Sequence, residues 1–253
     1  MDERLDAGSS GPPDGTRSAP ERPNRTGRNE PSSMQSVIAI VHQKGGVGKT
    51  TVSVCVAGEL TRRGIALSLI DADKTGSARS WADPGRLQFP VVYQPVIEGE
   101  VRSWATSIKK MRDRLLVIDC APNDYSIGAA TALADLAILP CGPSGLDLEG
   151  TMQALRIIDT VRARRAKALP VVIVPTRVDS RTLEGRQVLA ELAQFGERVS
   201  APLSYRTDFV RAYSEGEAVS TFAPGSVADG EIRALADDVL LMLPEQQRKA
   251  SAG

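Results

Sequence analysis

No apolar run in this chain approaches the roughly 20 residues that a membrane-spanning helix needs, and the N-terminal stretch lacks the apolar core of a signal peptide. There is no CxxC pair. The three cysteines, Cys55, Cys120 and Cys141, are odd in number and far apart, which argues against a zinc ribbon or a bridging cluster and suits a reducing cytoplasm. Charge of one sign is not in excess: 31 Lys and Arg balance 31 Asp and Glu, so bulk charge does not announce a polyanion partner. A local basic patch stays compatible with that balance, because steering depends on where charge sits. Histidine is nearly absent. His42 is the only one, and a lone histidine at a strand end reads as structural.

What is there is enough for one sizeable core: 253 residues, 42% of them apolar. Residues 1–33 are rich in Pro, Gly, Ser, Arg and Glu, with Leu5 the only large aliphatic side chain. Such a stretch cannot offset its ordering entropy by burial and is expected to be a disordered tail. Met34 stands just before the first apolar run, and it is a candidate start of the native chain. The rival is a flexible arm whose Arg17, Arg22, Arg25 and Arg28 touch a polyanion. One domain is expected over 34–245, with a short flexible tail over 246–253.

After Met34 short β-branched runs alternate with longer amphipathic ones. Strands are expected at Val37–His42, Ala66–Asp71, Val91–Gln94, Leu115–Asp119, Leu136–Pro140 and Val171–Pro175. Most are continuous apolar runs, as in strands buried on both faces. Helices are expected at Lys49–Arg63, Val101–Arg112, Leu148–Ala168, Leu183–Gln194, Asp208–Ser214 and Val227–Leu243; in the third, Met152, Leu155, Ile158 and Val161 share one face. This alternation predicts an α/β fold: a doubly wound, mostly parallel sheet with helices on both faces. No internal repeat is visible.

Between the first strand and the first helix lies His42-Gln43-Lys44-Gly45-Gly46-Val47-Gly48-Lys49-Thr50-Thr51. A glycine-rich turn in that context is a phosphate-binding loop. Its glycines let backbone N–H groups wrap phosphate oxygens, and the following helix adds its positive end. Lys49 can reach the β- and γ-phosphates, and the Thr50 hydroxyl can ligate Mg²⁺. Two other acidic strand ends share the edge where open α/β sheets bind ligands: Asp71 with Asp73, and Asp119 after Leu115–Ile118. Asp119 suits the hydration shell of Mg²⁺, which takes few protein ligands. An ordinary Asx-turn is the alternative role for Asp73.

Lys44 is one lysine more than such a loop needs. Together with Asp-x-Asp at 71–73 and the Asp119 strand, the loop resembles the deviant Walker A motif of the ParA/MinD family, part of the broader group that includes the nitrogenase iron protein. The resemblance covers nearly all of 34–245 and is closest to the small, single-domain ParA branch; "TRVDSRT" at 176–182, "YRTDFVRAYSEGEAV" at 205–219 and "FAPGS" at 222–226 look like that branch. It implies an ATPase with ATP and Mg²⁺ as cofactors. Lys44 would cross the interface of an ATP-sandwich homodimer to the partner's phosphates. Asp73 would orient the attacking water, Asp71 would support the metal region with Thr50 and Asp119, and Thr176 and Arg177 would lie near adenine. Nonspecific double-stranded DNA is the implied partner, through Arg181, Arg206 and Arg211, along with a ParB-like or cargo adaptor protein that stimulates hydrolysis. The implied location is cytoplasmic and nucleoid-associated.

The chain departs from the family where Pro-Gln usually follows the second aspartate. It has Lys74-Thr75 before the matching Gly76-Ser77-Ala78. That puts hydrolysis rate in question more than ATP binding, and keeps open an ATP-binding regulator with little turnover. A MinD-like membrane-cycling ATPase needs a C-terminal amphipathic helix, whereas "VLLMLPEQQRKASAG" ends its helix at Pro244 and has no large apolar residue beyond it. An iron–sulfur carrier would need closely spaced cysteines. A metabolic ligase on this fold would leave Lys44 unexplained.

Overall fold

The structure, a computed structural model, describes residues 35–243. The expectations for residues 1–33, Met34 and 246–253 lie outside the described residues. In chain order the elements begin with β1 (Ser36–Ile40), α1 (Lys49–Arg62), β2 (Leu67–Asp71), α2 (Ser77–Ala82), β3 (Val91–Tyr93) and α3 (Val101–Lys110). They continue with β4 (Leu115–Asp119), α4 (Asp124–Leu133), β5 (Leu136–Cys141), α5 (Gly145–Arg162), β6 (Val171–Val178) and α6 (Leu183–Ala193). The last are β7 (Arg198–Val199), β8 (Leu203–Ser204), α7 (Thr207–Glu215), α8 (Val219–Phe222) and α9 (Val227–Met242).

The strands pair in parallel in the order β3-β2-β4-β1-β5-β6-β7, and β8 also lies against β6. Every residue of β1, β2, β4 and β5 is buried, which is why these strands read as continuous apolar runs. Alternation still sorts them between two cores. Ile38 and Ile40 join the core under α1 and α9; Val37, Ala39 and Val41 join the one under α3, α4, α5 and α6. The sheet therefore has helices on both faces.

Register sets the site. Ile40, Asp71 and Asp119 lie level across β1, β4 and β2, so the loops after these strands emerge together. β1 is flanked by β4 on one side and β5 on the other, which places its loop at the topological switch point.

All six expected strands form, as do the six expected helices. The long helix differs most: it runs Gly145–Arg162 rather than Leu148–Ala168. It starts early because Ser144 and Asp147 form a capping box. It ends early at Arg162, whose guanidinium donates to the Leu169 carbonyl, and beyond the C-cap Arg165 donates to the carbonyls of Thr131, Ala132 and Ala134 at the end of α4. Met152, expected on the apolar face, is partly exposed. The sequence reading had no helix at α2, α4 or α8 and no strand at β7 or β8. α4 is built largely of small residues, three Ala among them, so its apolar periodicity is weak, although Asn123 caps it by accepting the Ser126 N–H at 2.9 Å.

α1 carries a glycine where α8 begins. A Cβ on Gly58 would sit 2.3 Å from the Ala218 Cβ. Gly58→Ala is therefore expected to destabilise the fold by about 1–3 kcal/mol through overpacking, read as a lower urea midpoint with an unchanged slope.

Candidate functional site

The loop after β1 is shaped by two left-handed glycines, Gly46 at φ 75° and Gly48 at φ 97°. A Cβ on Gly45 or Gly46 would meet nothing within 4 Å, so this stretch of backbone faces open space. Gly48 is the N-cap of α1 and offers no side-chain acceptor; the first helical bond is Val52 N–H to the Gly48 carbonyl. The N–H groups of residues 49–51 thus have no acceptor within the helix, the arrangement that receives an anion. Lys49 is buried along this loop, its ammonium donating to the Lys44 carbonyl at 2.9 Å. Burial lowers its pKa, opposed by Asp119.

Asp119 ends β4 beneath the loop. Its Oδ2 accepts the Thr50 hydroxyl at 2.7 Å and its Oδ1 accepts the Ser53 hydroxyl at 3.0 Å. Burial pushes its carboxyl up to about 7; the two hydroxyls oppose the rise and the neighbouring Asp71 charge adds to it. A buried carboxylate met only by hydroxyls is one that a divalent cation compensates. Asp71 is fully buried and spends its oxygens on the loop itself, accepting from Asp73 N–H at 3.2 Å and Arg79 N–H at 2.8 Å. Asp73 accepts the Thr75 N–H at 2.9 Å, an Asx-turn. The Lys74-Thr75 departure is held from outside: the Tyr93 hydroxyl donates to the Lys74 carbonyl at 3.1 Å.

Lys44 faces away from its own loop. Its ammonium pairs with Asp147 Oδ1 at 2.6 Å; the lysine side chain is 39% exposed and Asp147 only 2%. Burial works against the Asp147 charge, but the Lys44 and Ser144 hydrogen bonds prevail and hold its carboxyl below the ordinary value. His42 ties the loop to the same helix. Its Nδ1 accepts the Lys44 N–H at 2.9 Å, so Nε2 carries the proton toward the Asp147 carbonyl and the Thr151 hydroxyl. Burial and the Lys49 charge push it down to about 4, and it stays neutral. Gly150 permits this approach, since a Cβ there would lie 2.7 Å from His42 Cε1.

A cavity of about 620 Å³ runs from the loop between α2 and α7, lined by Gly45, Gly46 and Gly48 to Thr51 on one side and by Asp73, Thr75, Ser77, Trp81, Phe209 and Tyr213 on the other. The Trp81 and Tyr213 rings meet edge to face at 5.1 Å. A second cavity of about 190 Å³ adjoins it, lined by Thr176, Arg177, Leu203, Tyr205, Arg206 and Phe209. Thr176 fixes its wall by donating to the Val47 carbonyl at 2.8 Å. The uncapped helix could receive phosphates, Thr50 and Asp119 could hold Mg²⁺, and the smaller cavity, which shares Gly46, Gly48, Thr51, Phe209 and Val210 with the larger, could take a base. ATP and Mg²⁺ fit this arrangement.

Residues 38–219 match the CobQ/CobB/MinD/ParA nucleotide binding domain. The chain belongs to that family. It is similar to the "Maintenance of carboxysome distribution protein A" of Halothiobacillus neapolitanus, at 28% identity over 83% of this chain and 98% of that one. It is also similar to the "Chromosome-partitioning ATPase Soj" of Thermus thermophilus, at 29% identity over 82% of this chain and 96% of that one. Among solved structures, the septum site-determining protein MinD of Pyrococcus horikoshii, complexed with Mg-ADP, superposes with a TM-score of 0.66 at 19% identity, covering 81% of this chain and 96% of that one. That last likeness is one of fold.

The structure brings Gly45, Gly46, Gly48, Lys49, Thr50 and Thr51 together with Asp73 and Asp119, buries the Val47 side chain away from both cavities, and places Thr176 and Arg177 at the smaller one. It turns Lys44 outward and Asp71 toward backbone. The three arginines read as DNA contacts are not equivalent. Arg181 is chelated by Asp179, and Arg206 is bound through two nitrogens by Glu231. Arg211 is exposed on α7 with no acidic partner among the described residues. Sequence reasoning missed Ser53, the Trp81–Phe209–Tyr213 wall and the Lys44–Asp147 pair. The Ser144-x-x-Asp147 spacing is a capping-box signature, and that signature points to a helix start rather than to a lysine partner.

Proposed function

We propose that this family member is an ATPase that closes as a homodimer around ATP and Mg²⁺. In that state it binds nonspecific double-stranded DNA and segregates or positions a cargo over the nucleoid, with a ParB-like or cargo adaptor protein stimulating hydrolysis. The observation that carries this reading is the division of labour between the two lysines. Lys49 serves its own loop, whereas Lys44 stands half-exposed outside it, where a second subunit's phosphates can take it. A cation delivered in trans neutralises charge on the transferred phosphoryl, as arginine fingers do. Bound Mg²⁺ supplies further neutralisation of the phosphates. The names of the two relatives, concerned with carboxysome distribution and chromosome partitioning, support a positioning role.

A membrane-cycling role has less support. Among the described residues no helix is long and apolar enough to cross a membrane. The apolar side of α9 is spent in the core through Ile232, Leu235, Ala236, Val239 and Leu240. One second reading has an observation in its favour: the Asp73 carboxylate is engaged with Thr75 N–H, which favours a regulator that binds ATP and turns it over slowly. Phosphate release measured with saturating DNA separates the two.

The direct test is binding to a nonspecific duplex with ATP, with ADP and without nucleotide, at two salt concentrations. Binding is expected to need ATP and to weaken with salt. Arg211→Ala is expected to weaken it more than Arg181→Ala, and to flatten the slope of log affinity against log salt by about 0.9, one phosphate contact. Equal binding in all nucleotide states would overturn the reading.

A further inference from the structure

We infer that Arg177 is the positioning residue that frees Lys44: it takes over the buried Asp147 carboxylate when the Lys44 ammonium moves to the other subunit's phosphates. The inference rests on the dimer reading above and adds a requirement to it.

Asp147 cannot be left alone. It is 2% exposed, and apart from Ser144 its oxygens meet only two cations. Lys44 holds Oδ1 at 2.6 Å, a full charge-assisted hydrogen bond. The Arg177 guanidinium stands on the other oxygen, Oδ2, at 3.5 Å, within ion-pair range but short of a good hydrogen bond. Removing one partner of a buried pair is strongly unfavourable, because the remaining charge has lost its water and its counter-charge together. If Lys44 were the sole counter-ion, every departure toward a partner would strand a buried anion and bias the lysine to stay home.

Two features keep Arg177 in place for the exchange. Gly142 lies between the two groups: a Cβ there would fall 2.4 Å from Asp147 Oδ2 and 2.5 Å from the Arg177 guanidinium nitrogen. Only glycine leaves that gap open. Arg177 itself has φ 55°, the one positive φ outside glycine among the described residues. A non-glycine residue held in the left-handed region is strained and persists where its surroundings over-determine it. Here the backbone turn at the end of β6 brings the side chain back over α5. Arg177 also lines the smaller cavity beside Thr176, so an occupant of that cavity sits against the residue that must move.

The experiment is sedimentation of the full chain with Mg²⁺ and a non-hydrolysable ATP analogue, for wild type, Arg177→Ala, Arg177→Lys and the double variant Asp147→Asn/Arg177→Ala. Arg177→Ala is expected to weaken the dimer by about 10-fold or more, with an unchanged melting temperature of the nucleotide-free monomer. Arg177→Lys is expected to keep most of the affinity. The double variant is expected to recover it, because a neutral amide needs no counter-ion. A purely structural role would move the monomer's melting temperature and would not be rescued at position 147. Wild-type dimerisation with an equally tight Arg177→Ala dimer overturns this inference alone, as does a double variant that stays weak. A wild-type chain that never dimerises with the analogue removes the dimer reading and this inference together.

Discussion

Lys44→Ala is expected to lower ATP turnover by about 10³-fold or more while the monomer still binds nucleotide within a few-fold of wild type. The split follows from the two lysines' surroundings. Lys49 lies buried inside the loop with its ammonium on the Lys44 carbonyl, so the loop keeps its own cation after the substitution. The Lys44 side chain makes one salt bridge, to Asp147, and that bridge points out of the loop. Truncation strands Asp147 only in part, because Arg177 remains on its second oxygen. Lys49→Ala is the contrasting control, expected to lose nucleotide affinity itself. Titration of the nucleotide on the dilute monomer, set beside single-turnover hydrolysis at high protein concentration, reads the two effects apart. A Lys44→Ala chain with wild-type turnover would show that the lysine acts on neither subunit's phosphates.

Asp119→Asn is expected to abolish Mg²⁺-dependent nucleotide affinity and turnover, yet to stabilise the nucleotide-free fold. The carboxylate is fully buried, and burial raises its pKa from 3.8 in the unfolded chain to about 7. Between those values the folded chain holds a proton that the unfolded chain does not. Stability without metal therefore falls as pH rises from about 4 to about 7, by about 4 kcal/mol at most. Asparagine removes that dependence because it has no charge to bury. The amide oxygen keeps one of the Thr50 and Ser53 hydroxyls as its donor, and the amide NH₂ donates to the other. Thermal melts without Mg²⁺ at pH 5 and pH 8 are the measurement, and the gain from Asp119→Asn should be larger at pH 8. Equal gains at both pH values would mean that the carboxylate is paired or hydrated when ionised.

The sequence alone determined the parts of this protein that are local. Largely apolar runs at β1, β2, β4, β5 and β6 announce strands buried on both faces, where a polar side chain such as Ser68 is admitted only with a hydrogen-bond partner, here Asp113. A glycine-rich turn between strand and helix announces a phosphate loop, because only that backbone exposes its N–H groups so closely. Asp119 at the end of an apolar strand is legible as a carboxylate at the edge of the sheet where its loops emerge. Helix ends were less legible. α5 begins where Ser144 and Asp147 cap it and ends at Arg162, just before Arg165 reaches carbonyls over thirty residues away.

Only the tertiary structure decided how charges are partnered. Lys44 and Asp147 are 103 positions apart in the chain, and Arg206 and Glu231 are 25 apart; no pattern in the sequence pairs them. The parallel register that sets Asp71 opposite Asp119, and the open gap at Gly142 that admits Arg177 to Asp147, depend on backbones meeting across the fold. A residue's type states which charge it can carry. Which neighbour holds that charge, and at what cost in lost water, depends on burial and distance, and these exist only once the chain has folded.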